Sequence, residues 1–390
     1  MSTILTQYSG IFCFDVIIYP KEVSEVANVL DYLQWRGDLP FSVDPLHPVD
    51  ALIFSALAYI SYGGQIAFQP GIPITLKQAA DTFFGMDDHE KRVRVKNDLE
   101  LLRKAADTKR FGQTKLFFFR ELLLEEEQTQ FAAATFLLDD GTAFLAFRGT
   151  DDSLVGWKED FNMSFQQTVP AQRMALDYTR EVAAEFDGLL RLGGHSKGGN
   201  LAVFAAARSS CLVRNRILEV YNNDGPGFTE YMMGDPGYLE VVPRIHTYVP
   251  QSSVIGMLLE HEEPYTVIKS KQVGLLQHEL YSWEVLGPDF LPMEEITADS
   301  RFLNLTIKNW ISGMSVQDRN VLVDTMYDLL SSGDVETALD IFHPKNLRNY
   351  IRALRRDESA RRILMGEFQA LIHAARQASE QFSSQNKLDE

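Results

Sequence analysis

With 390 residues, 45% of them apolar, the chain can bury a large core, and its length alone predicts two to three domains. A formal net charge of −17 argues against nucleic acid and against an anionic bilayer surface as the main partner of the molecule. Two cysteines, Cys13 and Cys211, rule out a disulfide framework or a cysteine metal cluster and predict a reducing, cytoplasmic setting.

In chain order, residues 1–20 are moderately apolar but carry Asp15 and no basic leader, so they do not read as a secretory signal. Residues 12–19 read equally well as an early strand. Residues 51–62 follow Asp44-Pro45 and end at Gly63-Gly64; the run is too short to cross a membrane and predicts a buried helix. No stable membrane insertion is expected. Charged helical stretches such as 87–107 alternate with breaks at Pro70-Gly71 and Pro73, and residues 116–119 predict a strand that opens a sheet. Two apolar runs, 136–138 and 143–147, flank Asp139-Asp140-Gly141-Thr142, whose Asp-Gly is a hairpin signal. The second run continues into Arg148-Gly149-Thr150.

The sharpest motif follows at Gly194-His195-Ser196-Lys197-Gly198, with Gly199 next. A G-x-S-x-G pentapeptide alone is often a simple glycine turn. Here a short apolar strand, 188–192, precedes it and an apolar helix, 200–207, follows it. That order is a nucleophile elbow, in which glycines fill the positions where strand and helix approach too closely for a β-carbon. Ser196 then stands at a helix N-terminus, which favours developing negative charge. A P-loop is excluded, because the segment lacks G-K-[ST].

A strand ending in Arg-Gly-Thr, a loop with Trp157 and Asp160, a helix and a serine elbow, over roughly residues 130–285, together resemble the class 3 (fungal-type) lipases. The chain is most similar to a bacterial branch of lipase-like hydrolases. The resemblance implies an α/β-hydrolase fold, with a central mostly parallel sheet flanked by helices. It implies that the backbone N–H groups of Thr150 and Lys197 form the oxyanion hole. It also implies that Asp160, three residues after Trp157, braces the oxyanion loop; the alternative is an aromatic anchor and a helix-capping carboxylate.

Eight histidines compete for the role of base. The usual order of serine, acid, histidine removes His47 and His89. His195 adjoins the nucleophile and reads as a structural neighbour, and His246 falls in an alternating strand that is expected to carry it inside the sheet. His261, in a segment read as acidic and solvated, and His278, a few residues before an aromatic, remain, and the family's late base loop favours His278. The family's usual acid position falls near residues 250–253, which hold no carboxylate. Asp224, at the end of the preceding strand, is the expected acid, although Asp-Gly-Pro-Gly is also an ordinary turn sequence. A Ser-His dyad oriented by Ser252, Ser253 or a carbonyl is the alternative. For the Lys197 side chain two readings stand: it attracts an anionic substrate or lowers the serine pKa, or its stem packs along the mouth with its ammonium in water.

Residues 151–170 are unusually apolar and read either as a lid over an acyl pocket or as an ordinary packed element. After about residue 290 the pattern turns helical, with a Ser315-x-x-Asp318 capping box and helices expected over 335–342, 346–356 and 358–380, and fraying from Phe382. Residues 1–292 are therefore expected to form the hydrolase domain and 293–390 a helical appendage packed on it. The predicted function is a serine hydrolase of lipid or small acyl esters that needs no cofactor or metal. A peptidase or thioesterase, and a non-catalytic interaction protein on the same scaffold, are the competing readings.

Overall fold

The computed structural model describes residues 27–63, 72–124, 129–150, 154–163, 166–333 and 344–386. The expected strand at 12–19, the expected helix at 335–342 and Cys13 lie outside these residues. Eight strands form one sheet in sequence order: β1 (Ile74–Thr75), β2 (Lys115–Leu124), β3 (Thr129–Leu137), β4 (Ala143–Phe147), β5 (Leu190–His195), β6 (Ile217–Asn223), β7 (Ile245–Pro250) and β8 (Tyr265–Ile268). Strands β1 to β4 pair antiparallel and β4 to β8 parallel. The strand expected to open the sheet is β2; the two-residue β1 lies outside it, too short to leave any periodicity in the sequence. The β3–β4 hairpin turns at Gly141, whose φ of 83° is open to glycine at no steric cost.

Side chains on β4 alternate with the pleat. Ala143, Leu145 and Phe147 pack with the helices Pro170–Glu185 and Lys197–Arg208, whereas Phe144 and Ala146 face the helix Pro48–Leu57. Burial on both faces explains why this strand reads as an unbroken apolar run. Parallel strands that advance in one direction with right-handed crossovers place their crossover helices on one face. The other face is covered by helices that precede β2, Val29–Arg36, Pro48–Leu57, Leu76–Phe84 and Lys96–Asp107. The buried helix expected at 51–62 is Pro48–Leu57, and of the charged stretch 87–107 only Lys96–Asp107 is α-helical. The architecture is an α/β-hydrolase fold with added C-terminal helices.

Those helices are Ala298–Ser312, Val316–Ser331, Pro344–Arg356 and Glu358–Asn386. Ser315 accepts from Asp318 N and the Asp318 carboxylate accepts from Ser315 N, so the capping box forms. The last helix does not fray at Phe382. It runs on to Asn386, since it lies along Ala298–Ser312 with Ala374 and Ala378 buried and Asn309 Nδ2 donating to Gln381 Oε1 at 3.2 Å.

Candidate active site

Every candidate group sits beyond the carboxyl end of a parallel strand: Thr150 after β4, Ser196 after β5, Asp224 after β6, Ser253 after β7 and His278 after β8. That end of an open α/β sheet is where ligands bind. Ser196 joins β5 directly to the helix Lys197–Arg208 with φ 59° and ψ −136°, a conformation that non-glycine residues adopt only when their surroundings enforce it. Enforcement comes from packing. A β-carbon on Gly198 would lie 2.1 Å from the Phe147 carbonyl oxygen, and one on Gly149 would lie 2.2 Å from the Tyr59 hydroxyl and 2.9 Å from Ser196 Cβ.

Thr150 ends the Arg-Gly-Thr segment, and its Oγ1 donates to the Asp160 carboxylate at 2.7 and 2.6 Å. Asp160 therefore holds the loop that follows β4. The side chain of Trp157 lies outside the described residues. Arg148 anchors the same segment from behind, its Nη1 donating to Glu121 Oε1 at 2.5 Å. Among the described residues, neither the Thr150 nor the Lys197 backbone N–H donates to a protein acceptor. Lys197 is the first residue of its helix, where an N–H has no intrahelical partner.

The Lys197 side chain fits neither sequence reading. It is 1% exposed, and its Nζ donates to Glu159 Oε2 at 2.9 Å and to Gln130 O at 3.1 Å, so the ammonium reaches no water. Glu159, equally buried, also accepts from Ala171 N at 3.0 Å. One carboxylate thus ties the helix Leu154–Asn162 to the elbow and to the start of Pro170–Glu185. An ammonium in the first turn opposes the helix dipole, and a contact carboxylate cancels that charge where it arises. Burial raises the Asp160 pKa to about 6, against the lowering effect of Lys197 and of the Thr150 hydrogen bond. Although 38% of that side chain is exposed, it faces the cavity rather than open solvent.

His278 lies in a short 3₁₀ segment, Gly274–His278, and its Nδ1 meets Asp224 Oδ2 at 2.6 Å. With Nδ1 protonated toward the carboxylate, Nε2 is the basic nitrogen. Asp224 is fully buried in a left-handed conformation (φ 54°), and its other oxygen accepts from Ser253 Oγ at 2.5 Å and from Gly256 N at 3.1 Å. Ser253 therefore touches Asp224, not His278. Ser252 points elsewhere, its hydroxyl 3.1 Å from Thr297 Oγ1 and its N–H donating to Gln277 Oε1.

His195 is a structural neighbour in a specific sense. Its Nε2–H donates to the His278 carbonyl at 2.8 Å, which leaves Nδ1 to accept from the Tyr59 hydroxyl at 3.0 Å. Burial, then the neighbouring His278 and Arg94, hold its pKa well below the usual histidine range, so it is a neutral, fixed tautomer. His246 lies on β7 with its ring half-exposed against Glu219. The His261 segment is solvated at Glu260 and Glu262 as expected, but the His261 side chain itself is 9% exposed, and its Nδ1 lies 3.1 Å from Glu263 Oε1. Glu263 is itself buried by hydrogen bonds from Thr247 and Tyr238, so this turn folds inward.

Several groups around the site carry no sequence signal. Arg94 donates two parallel hydrogen bonds to Glu279, at 2.7 and 2.9 Å, and stacks on Tyr59 at 4.9 Å. Tyr281 donates to Asp98, and Trp283 Nε1 donates to Gln277 O. The Arg94 and Tyr281 ties fix the His278 loop to the helix Lys96–Asp107 and to the segment just before it. Their partners stand up to 185 residues apart, so no spacing could reveal them.

Thr150, Asp160, Ser196, Lys197 and His278 open on one cavity of about 280 Å³, walled by Met163, Ile255, Leu258, Leu259 and Ile311. Of the segment 151–170 expected as lid or packed element, the described helix Leu154–Asn162 is held by the clamped Glu159 and by Lys158, paired to Asp324 at 2.7 Å. Among the described residues Ser196 Oγ has no hydrogen-bond partner, and no group of residues could hold a metal ion. No described helix is long and apolar enough to cross a membrane.

Lipase II from Rhizopus niveus is similar at 15% identity over 51% of this chain and 83% of that chain, with a TM-score of 0.33. A mutant form of MDLA from Penicillium cyclopium shares 14% over 62% and 83%, with a TM-score of 0.36. Rhizomucor miehei lipase in its propeptide complex shares 12% over 60% and 83%, with a TM-score of 0.33. No curated protein matches the sequence. A family model described as Mbeg1-like matches residues 105–328, more than half of the chain, and the chain belongs to that family.

Proposed function

We propose that this protein is a serine hydrolase that cleaves carboxylic esters of lipids or small acyl compounds through an acyl-enzyme. The observation that carries the reading is the His278–Asp224 pair, which opens on the same cavity as a strained Ser196. His278 Nε2 takes the Ser196 proton as Oγ forms its bond to the ester carbonyl carbon. The carbonyl electron pair moves onto oxygen, which the N–H groups of Thr150 and Lys197 receive. The pair returns as the alkoxide leaves, His278 protonating it; water then repeats the sequence on the acyl-enzyme and frees the acid.

The apolar wall formed by Met163, Ile255, Leu258, Leu259 and Ile311 fits an acyl chain better than a polar peptide, which favours an esterase or lipase over a peptidase. Residues 1–292 form the hydrolase domain in this reading, residues 293–390 the appendage, the setting is cytoplasmic, and the chain falls in a bacterial branch of lipase-like hydrolases. The non-catalytic reading has one observation in its favour, the unpartnered Ser196 hydroxyl. Catalytic hydrogen bonds are often long before substrate binds. Hydrolysis of p-nitrophenyl esters of increasing acyl length, by wild type and Ser196→Ala, tests the proposal: turnover that peaks at a defined length and vanishes in the variant is expected. Equal rates for the two proteins would refute it.

A further inference from the structure

The helix Pro344–Arg356 lies outside the family match and has no part in the site described above. It carries Lys345, Arg348, Arg352, Arg355 and Arg356 and no acid; residues 344–376 hold eight Lys and Arg against three Asp and Glu, in a chain of net charge −17. One face anchors the helix, with Asn346 and Tyr350 buried. On the opposite side Arg348, Arg352 and Arg355 follow one another at helical spacing, all exposed. Between these faces Leu347 and Ile351, four residues apart, are 44% and 53% exposed. The next helix, Glu358–Asn386, adds exposed Met365 and Phe368, with Arg361 and Arg362 one turn before them.

We infer that this helix docks the protein on an anionic lipid surface as an in-plane amphipathic element. Net charge is an average over the molecule, and at physiological salt charges are screened beyond about 8 Å, so a local basic stripe acts by itself. Arginines complement lipid phosphates, while exposed Leu and Ile at helical spacing give the helix something to insert between headgroups. Phosphate contacts along a nucleic acid would engage the arginines alone, whereas a lipid surface takes up the apolar edge as well. The inference goes beyond the ester hydrolase reading and does not depend on it.

The test is sedimentation of the full chain with phosphatidylcholine vesicles and with mixed phosphatidylcholine–phosphatidylglycerol vesicles. The expected result is binding to the mixed vesicles only, weakened by salt, and equal in wild type and Ser196→Ala. Substituting Arg348, Arg352 and Arg355 together by Gln weakens that binding by roughly 100-fold, about fivefold per arginine. The pair Leu347→Ser and Ile351→Ser also weakens it, and both variants keep the wild-type melting temperature. No binding to anionic vesicles, binding that neither variant changes, or preferential retention of a DNA duplex would overturn the inference.

Discussion

The two halves of the site are built by opposite means. On the nucleophile side, β4, β5 and the helix Lys197–Arg208 meet through backbone atoms, with Gly149 and Gly198 leaving no room for a β-carbon, and a buried Lys197–Glu159 pair closes the joint. On the base side, His278 sits in irregular chain after β8 and is held by polar ties from Asp224, His195, Arg94 and Trp283. Close-packed backbone cannot yield without unfolding, whereas hydrogen bonds to a loop can be cut singly. Damage on the first side should therefore register as lost structure and damage on the second as lost turnover.

The largest effect is expected from Gly198→Ala, whose β-carbon would overlap the Phe147 carbonyl: the variant should fail to give folded protein, or melt far below wild type by circular dichroism. Asp224→Asn should fold normally and lose on the order of 10⁴-fold in kcat, because an amide no longer selects the His278 tautomer or stabilises its cation. Arg94→Ala, which frees Glu279 and the loop carrying His278, should lower kcat by about tenfold with KM and melting temperature nearly unchanged.

Asp160→Asn gives the smallest effect and sharpens the comparison through pH. An acid whose pKa is raised by folding, here to about 6, destabilises the folded state once ionised, so that stability is lost as pH rises through 6. The Asn variant should accordingly melt higher than wild type at pH 8 and lose the advantage by pH 4. Its kcat should fall a few-fold at pH 8, since Thr150 then donates to a weaker acceptor.

The nucleophile side was legible in the sequence because its determinants are local. Strand, glycines and helix follow one another within residues 188–207, and the hairpin turns on adjacent Asp140 and Gly141. The base side was legible only in its residue types. Nothing near His278 announces Arg94 or His195 as partners, since such contacts exist only once the end of β5 and the segment before the helix Lys96–Asp107 lie against the loop after β8. Lys197 was misread for the same reason: Glu159 is 38 residues away, and a lone lysine looks solvent-bound until its partner is placed. The His261 side chain is drawn inward because Glu263, only two residues on, is itself held inside by Tyr238 and Thr247.

Ser196, His278 and Asp224 are proposed to act as one unit, and intact-mass detection of a fluorophosphonate adduct tests that unit before any substrate is known. Wild type should gain the mass of a single adduct, Ser196→Ala none, and His278→Ala one that forms at least 10³-fold more slowly. A folded wild type that stays unlabelled, or an adduct that persists in Ser196→Ala, would contradict it.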